Sequence, residues 1–144
     1  MHYSNAILIR KPLNRVIELF DNPENMKQWQ PGFQRFEPLS GIPGQPGAKS
    51  KLVYQMGNRR VELIETILVR DLLKEFSGTY ETPGFWNRLK NEFVPVDENT
   101  TKWVMESEFK FMGIFKLFGW MMTGSFRRRT KMMMENFKRF AENT

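Results

Sequence analysis

Strict alternation marks the stretch before the C-terminal quarter: Thr101, Trp103, Met105, Ser107, Phe109 and Phe111 point one way, and Lys102, Glu106, Glu108 and Lys110 the other. A period of two with one dry face predicts a strand of an antiparallel sheet that covers something. The same period recurs upstream. Ser50, Leu52, Tyr54 and Met56 alternate with Lys51, Val53 and Gln55. Gly57-Asn58 then turns the chain into a strand over 61–69, and Phe76, Gly78 and Tyr80 share a face of the next. Thr82-Pro83-Gly84 ends that segment, after which Phe85, Leu89 and Phe93 alternate with Trp86, Arg88, Lys90 and Glu92 up to a turn at Asp97-Glu98-Asn99.

The N-terminal part predicts a strand over Tyr3–Arg10, with Ile7 and Ile9 on one face and Ala6 and Leu8 on the other, hence buried on both. Pro12 suits a helix's first turn, where its missing N–H is no loss. Leu13, Val16, Ile17 and Phe20 follow at helical spacing, and Asp21-Asn22-Pro23 stops them. A second short helix covers Glu24–Trp29 before Pro31-Gly32, and a strand covers Phe33–Leu39. The loop Gly41–Gly47 followed by Lys49 and Ser50 invites a phosphate-binding reading, which fails: Ala48 intervenes, and two prolines remove the N–H donors a phosphate needs.

Residues 112–141 switch to the helical period and predict one long amphipathic helix. Phe115, Phe118, Met122, Phe126, Met133, Phe137 and Phe140 form its apolar stripe at i, i+3, i+4, i+7 spacing. Flexible Met and Phe side chains facing a curved sheet tend to leave a cavity rather than a solid core. Over Ile114–Met122 the helix is apolar nearly all round, because Leu117 and Trp120 lie opposite Phe115 and Phe118. Gly119 and Gly124 each cost about 1 kcal/mol against alanine in a helix interior, so the segment is loose or kinked. It reads either as a gate or tip that touches a membrane or a second copy of the chain, or as a surface covered by loops near Pro83–Trp86.

Composition narrows the chemistry. The 144 residues contain no cysteine, which removes disulfides, thiolate metal sites and a cysteine nucleophile and fits a reducing, cytoplasmic setting. The sole histidine is His2, so histidine-based triads and metal sites are excluded as well. The apolar run Ala6–Ile9 is too short for a signal peptide or membrane span. Residues 1–109 balance 14 basic against 14 acidic side chains, whereas 110–144 hold eight basic and two acidic; the whole net charge of +6 sits on or beside the last helix. That face reads as a solvated outer surface or an anionic-membrane contact. No nucleic-acid motif accompanies it. What remains for an enzyme is carboxylate, lysine or tyrosine acid–base work.

Taken in order, five features resemble the START/Bet v 1-like superfamily, in particular bacterial SRPBCC proteins labelled polyketide cyclase/dehydrase or lipid-transport domains. They are the opening strand with Pro12 and the Val16–Phe20 helix, the segment Asp21–Pro31 with Trp29, the loop 41–47, the Asp97–Thr101 turn, and the basic helix ending in Phe137–Glu142. The resemblance implies an α+β helix-grip fold over a single domain, 1–144: a bent seven-stranded antiparallel sheet around a long C-terminal helix, two short helices after strand 1, and a cavity between sheet and helix.

Strand parity supplies the cavity-lining candidates Tyr54, Met56, Glu65, Tyr80, Leu89, Asn91, Trp103, Met105 and Ser107. The helix supplies Phe118, Met122, Phe126, Arg129 and Met133. Asn87 shares the face of Asn91, and Glu65 that of Val61, Leu63, Ile67 and Val69. A carboxylate and a guanidinium on apolar faces are costly unless paired or wet. Glu65 or another inward acid therefore pairs with Arg129, or Arg129 meets an anionic head group, or both side chains escape to solvent. Trp29 reads as a core residue at the helix-pair corner rather than a ligand platform. The partner expected is a small hydrophobic or amphipathic ligand held in the cavity, without metal, cofactor or nucleic acid. A polyketide cyclase or aromatase using Tyr54, Tyr80, Glu65 or Arg129, and a membrane-docking lipid or quinone chaperone, are the alternatives.

Overall fold

Seven alternating segments pair into one antiparallel sheet in the computed structural model, which describes residues 1–117 and 119–144, Trp120 by its backbone alone. The strands are β1 (His2–Ile9), β2 (Phe33–Ser40), β3 (Lys49–Met56), β4 (Arg59–Asp71), β5 (Glu75–Thr82), β6 (Phe85–Asp97) and β7 (Thr100–Phe111). Their order is β1-β7-β6-β5-β4-β3-β2, so β2 to β7 form a meander of sequential neighbours and β1 closes onto the last strand. Between β1 and β2 stand helix α1 (Leu13–Asp21), a 3-10 turn (Pro23–Asn25) and helix α2 (Met26–Trp29). Pro12 is the residue just before α1, and the Asn22 side chain accepts from the Glu24 N–H at 3.0 Å to start the following turn. Helix α3 (Gly119–Glu142) ends the chain and lies in the grip of the sheet.

Three expectations are corrected. β1 is an edge strand with one wet face: Tyr3 and Ile9 are buried, while Ala6 is exposed and Leu8 is half-open to solvent. Residues 112–141 are not one helix. A 3-10 turn spans Gly113–Leu117 and α3 begins at Gly119, so Phe115 belongs to the turn and not to the helical stripe. Gly119 thus stands at the helix start, where a Cβ would come within 2.4 Å of the Phe111 ring; only Gly124 is interior. Third, β4 carries a bulge between Ile67 and Val69 that leaves Leu68 without a partner on β5. The extra residue inverts the parity, so Leu68 and Val69 are exposed while Arg70 is half-buried.

The solid core sits at the C-terminal end of α3. Ile9, Val16, Ile17, Leu19, Trp29, Phe93, Trp103, Met105, Met134, Phe137 and Ala141 form one buried cluster. Phe20 is its aromatic hub, with ring centres 5.7 Å from Trp29, 5.0 Å from Phe93, 5.6 Å from Trp103 and 5.9 Å from Phe137. These distances fall in the range of favourable offset and edge-to-face pairs. The first turns of α3 are different: Met121 and Met122 are exposed, and from Met121 to Arg129 the helix buries no residue fully. Phe137 is wholly enclosed, so its truncation removes the helix's main anchor. Phe137→Ala is expected to cost about 3–5 kcal/mol in urea unfolding, while Leu117→Ala, on the open turn, changes stability by less than about 0.5 kcal/mol.

Candidate functional site

Where α3 lifts from the sheet, a cavity of about 340 Å³ remains. Its sheet wall contains Tyr54, Met56, Glu65, Tyr80, Leu89, Asn91, Met105 and Ser107. Its helix wall contains Met122, Phe126, Arg129 and Met133. Trp103 does not line it. That indole is fully buried behind the wall, and its Nε1–H donates to Asn91 Oδ1 at 3.0 Å, because a bulky ring on the core face packs against Phe93 and Phe137 instead. Phe118 lies outside the described residues. Sequence reasoning missed the contribution of the helix corner: Phe20, Met26, Trp29 and Gln30 close the inner end. Trp29 belongs to core and cavity wall at once, a double role that no local pattern announces.

Most polar groups on the wall are occupied by the wall itself. Asn87 Nδ2 donates to Ser107 Oγ at 2.9 Å and to the Glu108 carbonyl at 3.0 Å, and Asn91 Nδ2 donates to the Phe76 carbonyl at 3.2 Å. The Tyr3 hydroxyl and Thr130 Oγ1 share a hydrogen bond of 2.5 Å. Such groups are satisfied in place, so the cavity presents a mainly apolar surface despite its asparagines.

Four side chains carry the electrostatics. Glu65 is buried and sits in register opposite Tyr80 on β5 and Ser50 on β3. Burial raises its carboxyl above the ordinary 4.5, and a hydrogen bond from Tyr80 offsets part of that rise. The Tyr80 phenol is pushed well above its usual value, first by burial and then by the charge of Glu65. Tyr54 is raised likewise, chiefly by burial, and its hydroxyl donates to Gln30 Oε1 at 2.5 Å. Arg129 is lowered by burial, with Tyr54 opposing the shift.

The expected Glu65–Arg129 ion pair is not formed among the described residues. Arg129 instead donates to the Pro31 carbonyl at 2.7 Å and stands 5.7 Å over the Tyr54 ring. A carbonyl and a ring face hold a guanidinium without neutralising it, so its charge still faces the cavity. Glu65 does not escape to solvent, being buried, whereas Arg129 is half-buried where it lines the hollow.

Outside the cavity mouth, Ile114 and Leu117 are about three-quarters exposed and Met121 is also open. The loop before β6 accepts the Met112 N–H at the Gly84 carbonyl at 2.9 Å and meets Phe115, whose ring packs on Gly84, a glycine at φ +85 where a Cβ would approach to 2.2 Å. Arg127, Arg128, Lys131 and Arg139 are exposed on α3. No described helix is long and apolar enough to cross a membrane. Among the described residues, no group of three or more His, Cys, Asp or Glu side chains is placed to hold a metal ion.

A bent antiparallel sheet gripping a long C-terminal helix over a cavity defines the helix-grip class of the START/Bet v 1-like proteins. The chain belongs to the family described as polyketide cyclase/dehydrase and lipid transport, which it matches over residues 2–142. Among solved structures it is similar to the Zhui aromatase/cyclase from a Streptomyces species, at 15% identity and a TM-score of 0.82, covering 99% of this chain and 93% of that one. A START superfamily protein from Mycobacterium smegmatis is 12% identical with a TM-score of 0.81, covering 99% and 97%. Ara h 8.0201 is 13% identical with a TM-score of 0.79, covering 100% and 99%. No curated protein matches the chain by sequence.

The raised Glu65 carboxyl has a consequence for stability. Between the unfolded carboxyl value and the higher folded one, the native state holds a proton that the unfolded chain has released. Its contribution is complete below the unfolded value and is lost as pH rises through the folded one. Melting temperatures from pH 4 to 8 should therefore fall with rising pH more steeply for the wild type than for Glu65→Gln, which holds no titrating proton there.

Proposed function

We propose that the protein binds and carries a small amphipathic molecule whose apolar body fills the cavity and whose acidic end meets Arg129. The observation that carries this reading is a hollow lined mainly by Phe, Met, Leu and Tyr side chains in which the Arg129 guanidinium has no carboxylate partner among the described residues. Burial of ligand surface, worth roughly 25 cal/mol per Å² of apolar area, drives uptake. A desolvated cation selects for an anionic group. The family resemblance and the neighbouring aromatase/cyclase keep polyketide chemistry in view, but here Tyr54, Tyr80 and Glu65 all hold their protons more tightly than usual. That argues against phenolate-based proton abstraction, and the single O–H of each tyrosine is already engaged, Tyr54 with Gln30 and Tyr80 with Glu65.

Native mass spectrometry of freshly purified protein should reveal a co-purified small molecule. Anilinonaphthalene sulfonate should bind with enhanced fluorescence and raise the melting temperature. Leu89→Trp, which fills the hollow, should abolish both effects while the fold persists. Arg129→Met should weaken the sulfonate probe about tenfold, since a hydrogen bond to a charged group contributes about 1.5–3 kcal/mol. An unaltered probe affinity in both variants overturns the assignment.

The exposed tip favours a second reading, in which cargo is exchanged at an anionic bilayer. Ile114, Leu117 and Met121 are open, and Lys116 with the basic face of α3 lies beside them. Co-sedimentation with phosphatidylserine vesicles should then fall steeply with added salt, and Leu117→Asp should abolish it. Equal sedimentation with neutral vesicles removes this reading.

A further inference from the structure

Two residues of formal charge line the main cavity among the described residues, Glu65 on β4 and Arg129 on α3. Arg129 has its neighbours in the Pro31 carbonyl and the Tyr54 ring. Glu65 is 7% exposed and has less support. Tyr80, opposite it on β5, supplies its hydrogen bond, and no cation among the described residues adds to it. A carboxyl group has two oxygens with about four lone-pair positions, so one phenol leaves most of that capacity unused.

The unused oxygen opens on the hollow. Trp29 Nε1 and Arg70 Nε are the side-chain polar atoms sealed without a partner among the described residues, and neither oxygen of Glu65 is one of them. The oxygen that Tyr80 leaves free therefore keeps surface in the cavity that Glu65 lines. A polar group held in an apolar wall without a protein partner calls for one from elsewhere.

Charge decides which group fits. An ammonium would match only the ionised carboxylate and would bring a second cation into a hollow that already holds Arg129. Burial works against that ionised form, raising the carboxyl above its ordinary value. A hydroxyl group suits either protonation state, since it accepts from the acid and donates to the carboxylate. We infer that Glu65 is a specificity-determining residue of the cavity, which selects a cargo bearing a neutral hydroxyl group in addition to the acidic end at Arg129. The inference rests on the carrier reading and narrows it from amphipathic acids to hydroxylated ones.

Straight-chain acids of eight, ten and twelve carbons, each ending in a methyl, hydroxyl or ammonium group, test this by displacing anilinonaphthalene sulfonate. The varied length lets the far end find Glu65 while the acid stays at Arg129. Glu65→Leu alone would free the Tyr80 O–H to stand in for the lost partner, so the comparison is made within Tyr80→Phe. There, adding Glu65→Leu should lower the affinity ratio of hydroxyl-ended to methyl-ended acid about tenfold for at least one length. Adding Glu65→Gln, which keeps a donor and an acceptor, should preserve the ratio. In a crystal structure of the wild type with the favoured hydroxy acid, the hydroxyl oxygen should lie about 3.0 Å from a Glu65 carboxyl oxygen; if the double variant does not fold, this contact decides. A ratio unchanged at every length, a hydroxyl bound elsewhere, or tighter binding of the ammonium-ended acid overturns the selection by Glu65. The carrier reading then stands as long as the methyl-ended acids displace the probe. Failure of both the probe and those acids to bind overturns both.

Discussion

Everything in this architecture depends on the aromatic contacts that pin the C-terminal half of α3. Phe137 is sealed among Phe20, Trp29 and Trp103, and Met134 and Ala141 complete the same buried face. A helix held at two separated points can stand off the sheet between them without unfolding. The hollow lies between two ring clusters on α3: Phe137 among the core aromatics, and Phe126 stacked 5.0 Å from Phe85 with Phe109 at 5.6 Å and Phe111 at 5.7 Å. Were the helix pinned along its whole length, close packing would eliminate the void, as it does in most protein interiors.

The polar groups follow the same asymmetry. Near the anchor they are spent on the protein, with Trp103 bound to Asn91 and Thr101 Oγ1 donating to the Lys11 carbonyl at 2.9 Å. Towards the helix corner and the mouth, charges and donors are held in place without being neutralised. Arg129 leans on a carbonyl and a phenol ring, and Glu65 has only Tyr80 for support. A low-dielectric setting makes incomplete satisfaction costly, so such groups are conspicuous wherever they persist.

The sheet was legible because period-two alternation survives in Thr101–Phe111 and Ser50–Met56 with few interruptions, and every turn of the meander except Leu72-Leu73-Lys74 carries Gly, Asn or Pro. The break in the final helix was not legible. Gly113 at φ +64 turns the chain and a 3-10 segment follows, yet apolar residues continue at spacings that suit either helix type. Parity placed the cavity wall well on β3, β5 and β6. It failed for Trp103, whose size commits it to the core, and for Val69, which the bulge displaces. The helix-corner residues Phe20, Met26, Trp29 and Gln30 meet the sheet only through tertiary packing, and no spacing rule relates them to Glu65 or Tyr80.

The unpaired Leu68 has a reach beyond its own strand. One additional residue decides whether an aliphatic or a guanidinium side chain lines the pocket that Glu65 also lines, because everything downstream on β4 is rotated by half a pleat. Insertion or deletion at this single point therefore acts as a chemical selector: the backbone scaffold stays the same while the pocket beside α1 and α2 changes from greasy to polar. Length variation in one strand, rather than substitution of lining residues, gives such a scaffold a route to new guests.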